Sequence, residues 1–280
     1  MSKKAKKRLI IAVTFLVLIA LSAWGFALKP INYRVSSKKL DKGLKIVFIS
    51  DLHNCFYGDT QNSKLIDEVN KAKPDIVIFG GDVLDAWGGT KYALNLMSEL
   101  SDSYPCCYTP GNHEEMRDDK EEFYAKVSKI CPVVLGSHEE FNINGQYICV
   151  YGVLDSIAWG KKATQLDECF AALDESCYNI LVAHQPEQID SYLGKDIKAE
   201  TDFDLILSGH AHGGQWRLPK LLDQGLYAPD QGLFPDYTTG MYEYGDTTHI
   251  ISRGLARPLR MIFIPRIFNR PELSIIEIGK

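Results

Sequence analysis

LKIVFISDLH (residues 44–53) and DIVIFGGDVLD (residues 75–85) decide the fold. Each begins as a short run of β-branched, aliphatic and aromatic residues and closes on Gly or polar residues. Alternation within the runs is weak, which marks strands covered on both faces rather than strands with one side in water. YICVYGV (147–153), YNILVAH (178–184) and DLILSG (204–209) repeat the pattern further along. Between the strands lie helical stretches. From Gln61 to Lys73, Leu65, Ile66, Val69 and Ala72 share one helical face. Thr90 can cap a second helix carrying Ala93, Leu96, Met97 and Leu100, and Asp118 or Asp119 can start a third. Strand alternating with helix predicts an α/β layered fold, β-sheet flanked by helices. After Gln215 the sequence turns to Gly, Pro and aromatic punctuation. The strand-like THIISRG and ELSIIEI then predict β-rich closure of the same domain.

The polar residues that end these strands are regular in position. Asp51, Asp82 and His113 follow one another at steps of 31 residues. A strand-helix-strand unit takes about 30 residues, so equal steps return the chain to the same sheet edge. Side chains at the carboxyl ends of neighbouring strands converge in one crevice, where open α/β sheets place their sites. The converging groups are DLH (51–53), GDVLD (81–85), GNHE (111–114), His184 and GHAH (209–212). Two aspartates, an Asn carbonyl and several imidazoles suit manganese, iron, zinc or cobalt better than calcium, which takes oxygen alone. Seven donors exceed one tetrahedral site and suit two ions sharing a carboxylate, the geometry that clamps an in-line displacement at phosphorus. Gathering that many buried polar groups with nothing to bind would cost one to a few kcal/mol for each one unpaired.

This ordered set, DxH, GDxxD, GNHE, H and GHxH, resembles the calcineurin-like metallophosphoesterase family over about residues 45 to 215. Any one motif is weak, but five in order at strand ends are specific. The resemblance implies two divalent ions, manganese first. Asp51, His53, Asp82 and His212 would hold one, and Asp82, Asn112, His184 and His210 the other, with Asp82 as the bridge. It implies for His113 a catalytic role without ligation, stabilising the transition state or protonating the leaving oxygen. Asp85 and Glu114 read as supporting groups behind the ligands. GGQWRLP after GHAH, and SRGLARPLR and NRPEL near the end, resemble the membrane-associated branch of the family. That branch includes phosphodiesterases and enzymes that hydrolyse the UDP-2,3-diacylglucosamine pyrophosphate bond.

The N-terminus points the same way. Six basic residues and no acid fall in residues 1–30, so the rest of the chain holds 25 basic against 36 acidic residues. Such acidity excludes a general nucleic-acid binder. Residues 1–8 read as a basic cytoplasmic tail. Leu9 to Leu28 is uncharged and about as long as a transmembrane helix, with a cleaved signal peptide as the alternative because Gly25 and Ala27 form a small-x-small pair. The predicted order is then anchor (9–28), linker (29–43) and catalytic domain (44–280), in the cell membrane with the domain outside. Trp216, Leu218, Leu221, Leu222, Leu226, Tyr227, Leu233 and Phe234, with RMIFIPRIF (260–268), either dip toward a membrane or cover a sheet edge. The expected partners are a small-molecule or lipid phosphoester and a membrane, with no protein partner indicated. The alternative activity is an extracytoplasmic phosphomonoesterase for nucleotides or phosphoproteins. The seven cysteines show no metal-finger spacing and read mostly as buried apolar residues. His138 reads as a surface residue in the polar loop SHEEFNING, and His249 as structural.

Overall fold

The computed structural model describes residues 2–24, 27–154, 159–194, 202–257 and 266–279. After a helix α1 (Lys3–Trp24) the chain forms β1 (Lys29–Ser36), β2 (Leu44–Ile49), α2 (Ser63–Ala72), β3 (Ile76–Gly80), α3 (Lys91–Ser101) and β4 (Cys106–Thr109). Short α4 (Asn112–Glu115), α5 (Lys120–Val127), β5 (Ser137–Ile143), β6 (Gln146–Val153), α6 (Trp159–Ala171), β7 (Tyr178–Ala183), α7 (Ile189–Tyr192) and β8 (Leu205–Ser208) follow. The chain closes with β9 (Tyr227–Ala228), β10 (Gly232–Leu233), β11 (Gly240–Tyr244), β12 (Thr247–Ile251) and β13 (Glu272–Gly279).

The strands make two large sheets, ordered β1-β13-β2-β3-β4 and β11-β12-β8-β7-β6-β5, plus the small pair β9 and β10. β2, β3 and β4 are parallel neighbours, as the equal 31-residue steps require. The expected strand-helix alternation is present, but it builds two sheets packed face to face. Ile46, Phe48, Ile78, Ile148, Val150, Ile180, Val182, Leu205 and Leu207 share one core between them. The alternate residues Val47, Ile49, Val77 and Phe79 meet Leu65 and Val69 of α2, Leu96 and Met97 of α3, and Phe123 and Val127 of α5. On the far side Tyr151, Val153, Leu181 and Ile206 meet Leu166, Cys169 and Phe170 of α6. Both faces of every central strand are therefore covered, which is why the runs read as continuously apolar. Each large side chain so buried contributes about 1.5–3 kcal/mol. Gly80 is required at the sheet-sheet contact, because a Cβ there would overlap the Phe48 ring.

Among the described residues no helix is long and apolar enough to cross a membrane, and two expectations need correction. The first turns of α1 hold Lys3, Lys4, Lys6, Lys7 and Arg8. Residues 25 and 26 of the anchor predicted at 9–28 lie outside the described residues. The predicted linker 29–43 contains β1, paired in parallel with β13 from Lys29 to Ser36. Pro30 argues against a central strand but is tolerated here because β1 ends its sheet. The loop predicted around His138 is the strand β5, also at a sheet end, so its polar side chains face water. Thr90 does occupy the N-cap of α3, yet its side chain makes no cap bond. Asn54 Oδ1 does so instead, accepting the Tyr92 and Ala93 amides at 3.0 Å each.

Candidate metal centre

Five of the seven predicted ligands sit in backbone conformations that L-residues seldom adopt. φ is 49° at Asp51, 49° at His53, 51° at Asp82, 65° at His210 and 48° at His212. Each costs of order 1–2 kcal/mol, and strain of this kind persists where surrounding structure enforces it. Here it turns a strand end sharply, so that the residue after the strand faces the crevice instead of continuing along the sheet. Asp51 and His53 follow β2, Asp82 follows β3, and Asn112 opens α4 after β4. His184 follows β7, while His210 and His212 follow β8. The crevice thus takes four donors from one sheet and three from the other. The glycines beside the ligands have two separate reasons. Gly81 needs its positive φ of 83°. A Cβ at Gly209 would strike the Asp51 carboxylate, so there it is close approach that requires glycine.

The side chains converge in two groups, linked through His53, Asp82 and His113. Asp51, His53 and His212 form one, and Asp82, His184 and His210 the other, with donor atoms in each group within 4.8 Å of one another. Between the groups, Asp82 Oδ2 lies 3.8 Å from His53 Nε2 and 3.2 Å from His184 Nε2. Asp51 Oδ1 lies 3.8 Å from His184 Nε2 and 3.7 Å from His212 Nδ1. Asn112 Oδ1 is 3.0 Å from His210 Nδ1. All seven predicted ligands are brought together and buried, and His113 stands at their edge, its ring 4.5 Å from that of His53.

Their environment matches what a cation would need. Asp51 Oδ2, His53 Nε2 and His212 Nδ1 are buried without a hydrogen-bond partner. An orphaned buried polar atom costs about 1–3 kcal/mol, and a cation among these three would receive their lone pairs. Burial pushes the His53 imidazole down to about 4 and His212 well below its usual value, leaving both neutral, the state in which imidazole ligates. Burial alone would raise the Asp82 carboxyl, but His184, His113 and His53 hold it well below the ordinary range. His184 donates Nδ1–H to the Gly80 carbonyl at 3.0 Å, which aims the Nε2 lone pair at the aspartates. The mixed oxygen and nitrogen set fits divalent transition ions.

Glu114 builds the floor of this arrangement. Its buried carboxylate accepts the amides of Asp82 (2.9 Å), Leu84 (2.7 Å) and Gly111 (2.9 Å), tying the GDVLD and GNHE loops together. Asp85 places its Oδ1 3.1 Å from His113 Nδ1. Burial lowers the His113 imidazole, but that hydrogen bond and the Asp82 charge outweigh it and lift the group to about 9.

One residue at the site went unseen in the sequence. Asp230, between β9 and β10, places Oδ2 2.8 Å from His210 Nε2 and accepts Gln185 Nε2 at 3.1 Å. A lone Asp after Pro reads as turn chemistry, and no spacing links it to GHAH. Of the apolar tail residues, Trp216, Leu218, Leu221, Tyr227, Leu233 and Phe234 are exposed, and the last three flank Asp230 in sequence. Residues 260–265 of RMIFIPRIF lie outside the described residues.

Comparison with known proteins agrees with this geometry. An uncharacterized metallophosphoesterase of Helicobacter pylori is 33% identical over 80% of this chain and 58% of its own length. A Bacillus subtilis protein is 33% identical over 71% of this chain and 73% of its own. A Bos taurus transmembrane protein with metallophosphoesterase domain is 27% identical over 76% of this chain and 48% of its own. The chain thus spans about half the length of several relatives it matches. The model of the calcineurin-like phosphoesterase family matches residues 44–214, which hold all seven predicted ligands and His113. With most of the chain inside that match, this protein belongs to the calcineurin-like phosphoesterase family.

Proposed function

We propose that the chain hydrolyses phosphodiester or diphosphate bonds with two divalent ions, on a lipid-linked substrate at a membrane surface. The observation that carries the chemistry is the double group of buried donors, orphaned at Asp51, His53 and His212, beside the His113 imidazole. Asp51, His53, Asp82 and His212 would hold one ion, and Asp82, Asn112, His184 and His210 the other. Bound there, the ions would neutralise phosphoryl oxygens and supply an acidified water. His113 carries the proton that the leaving oxygen needs, and Asp85 holds the ring in place through Nδ1. The edge position of His113, partly open to solvent, lets a substrate reach it while the ligands behind it stay dry.

A lipid-linked substrate such as UDP-2,3-diacylglucosamine is supported by the exposed Tyr227, Leu233 and Phe234 around Asp230, whose carboxylate touches a predicted ligand. Association with a membrane surface is supported by α1, where Leu9, Ile10, Ile11, Val13 and Val17 are exposed after five basic residues. The name of the bovine relative is consistent with it. Manganese is the first metal to try.

The test compares bis-(p-nitrophenyl) phosphate with the mono-ester, after chelation and after manganese is restored. Activity should vanish with chelation, return with metal and favour the diester. Faster turnover of the mono-ester would overturn the bond preference, and fewer than two ions per metal-replete chain would overturn the dinuclear reading. His113→Ala should lower kcat by about 100-fold or more at unchanged metal content. Turnover within twofold of the parent would remove His113 from the chemistry.

A further inference from the structure

Away from the crevice, the outer face of the second sheet gathers a different set of donors. The hairpin register of β5 and β6 puts Glu140 directly opposite Cys149. β6 pairs with β7 so that Ile148 faces Tyr178, which sets Cys177, just before β7, diagonally beside Cys149 on the same face. The sulfurs of Cys149 and Cys177 and a Glu140 carboxylate oxygen all lie within 4.8 Å of one another. Both cysteines are buried, each 2% exposed, while Glu140 closes the group from the solvent side. Asp174 is a fourth donor at the margin. Its carboxylate is fixed by the Ser176 amide at 2.8 Å and hydroxyl at 2.7 Å, and it also meets the Cys177 thiol.

We propose that Glu140, Cys149 and Cys177, with Asp174 beside them, form a second cation site that takes a thiophilic divalent ion of the zinc class. Two thiolates and one or two carboxylates are a donor set that hard ions such as magnesium and calcium do not choose. Zinc–sulfur bonds of about 2.3 Å put two thiolates of a tetrahedral site about 3.8 Å apart, so side-chain movement of about 1 Å closes the group. Binding would exchange two thiol protons for the ion. Burial, then the Cys177 thiol and the Glu140 and Asp174 charges, push the Cys149 thiol up, so the ion must displace a firmly held proton there. A cation relieves the same crowding.

The site is structural in character. It ties the β5–β6 hairpin at the sheet end to the turn that leads from α6 into β7, where the Tyr151 hydroxyl already donates to the Ala172 carbonyl at 2.9 Å. Cys177 and His184 lie at opposite ends of β7, roughly 23 Å apart at about 3.3 Å per residue. Occupancy should therefore leave the catalytic crevice unchanged.

Cobalt separates the two sites, because the crevice's predicted ligands are oxygen and nitrogen only, and sulfur-to-cobalt charge transfer in the near ultraviolet reports thiolate ligation alone. The reduced, metal-free full chain is titrated with cobalt. The charge-transfer band should appear, be lost in Cys149→Ser and in Cys177→Ser, and be displaced by zinc. Glu140 is exposed, so Glu140→Gln keeps the fold and provides the second variant. It should weaken cobalt binding at this band by about 10-fold or more, at least what loss of a partner behind the ligands costs, with bis-(p-nitrophenyl) phosphate turnover within twofold of the parent. No band in the parent chain, a band that survives either serine variant, or unchanged affinity in Glu140→Gln would each overturn the proposal. Recovery of Cys149 and Cys177 as a disulfide under reducing conditions would overturn it as well.

Discussion

Glu114→Gln changes one atom and tests how the catalytic loops are held. The Glu114 carboxylate is fully buried and accepts three backbone amides at 2.9, 2.7 and 2.9 Å. Glutamine keeps one oxygen and turns an NH2 group toward at least one of those N–H donors. That leaves at least one amide unsatisfied, about 1–3 kcal/mol, and replaces charge-assisted bonds by weaker neutral ones. Against this stands the cost of the buried charge: burial and the neighbouring Asp82 push the Glu114 carboxyl up to about 7, so the anion is held at some expense. Above that value the three donors retain their anionic acceptor, and the net loss on substitution is roughly 2–3 kcal/mol. At about 2–4 °C per kcal/mol for a chain of this size, the melting temperature of the metal-free protein falls by about 4–12 °C. Urea and thermal unfolding at pH 8 in chelator measure it directly, without the contribution of bound ions. The ions should also bind less tightly, because Asp82 and Asn112 lie on the two loops that Glu114 joins. A loss under about 0.5 kcal/mol would refute the reasoning, since it would mean that the three amides find other partners at no cost.

Asp230→Ala removes the carboxylate from His210 Nε2 and should lower metal affinity by about 10- to 100-fold, read by competition with a chelating dye. Unchanged affinity would leave Asp230 a surface turn residue. His249, buried in β12 against the Ser208 hydroxyl at 2.9 Å, is pushed by burial down to about 3. Its ring is neutral when folded and protonates near 6.5 when unfolded. Stability from this group is therefore present above about 6.5 and lost as pH falls toward 3. By pH 4.5 the loss amounts to roughly 3 kcal/mol, so His249→Gln should flatten the fall in unfolding free energy between pH 6.5 and 4.5 by about that much. Parallel pH profiles for the two proteins would count against it.

The central strands were legible because burial on both faces makes them short, continuous apolar runs, and the crevice residues because each follows a strand. The equal steps from Asp51 to Asp82 to His113 located β2, β3 and β4 as parallel neighbours. They did not reveal that His184, His210 and His212 come from a second sheet, since separate sheets use the same strand chemistry. β1 and β5 were missed because a strand at a sheet end needs only one partner and tolerates Pro30 or the run His138, Glu139, Glu140. Asp230 was invisible for another reason. Its contact with His210 depends on where a loop of irregular conformation comes to rest, φ 57° at Asp230 included, and no periodicity encodes that.

Gly80 gives the thickness of the sheet-sheet core a chemical readout. It lies one turn of chain below the predicted ligands, with the Phe48 ring and Val182 pressed against the place where its side chain would be, and its carbonyl fixes His184. Four donors ride on one wall and three on the other, so the gap between the walls sets the gap between the donors. The glycine works as a caliper. A methyl group there would press the two walls apart, and with them the donors each carries, so the spacing of the crevice is set from inside the hydrophobic core.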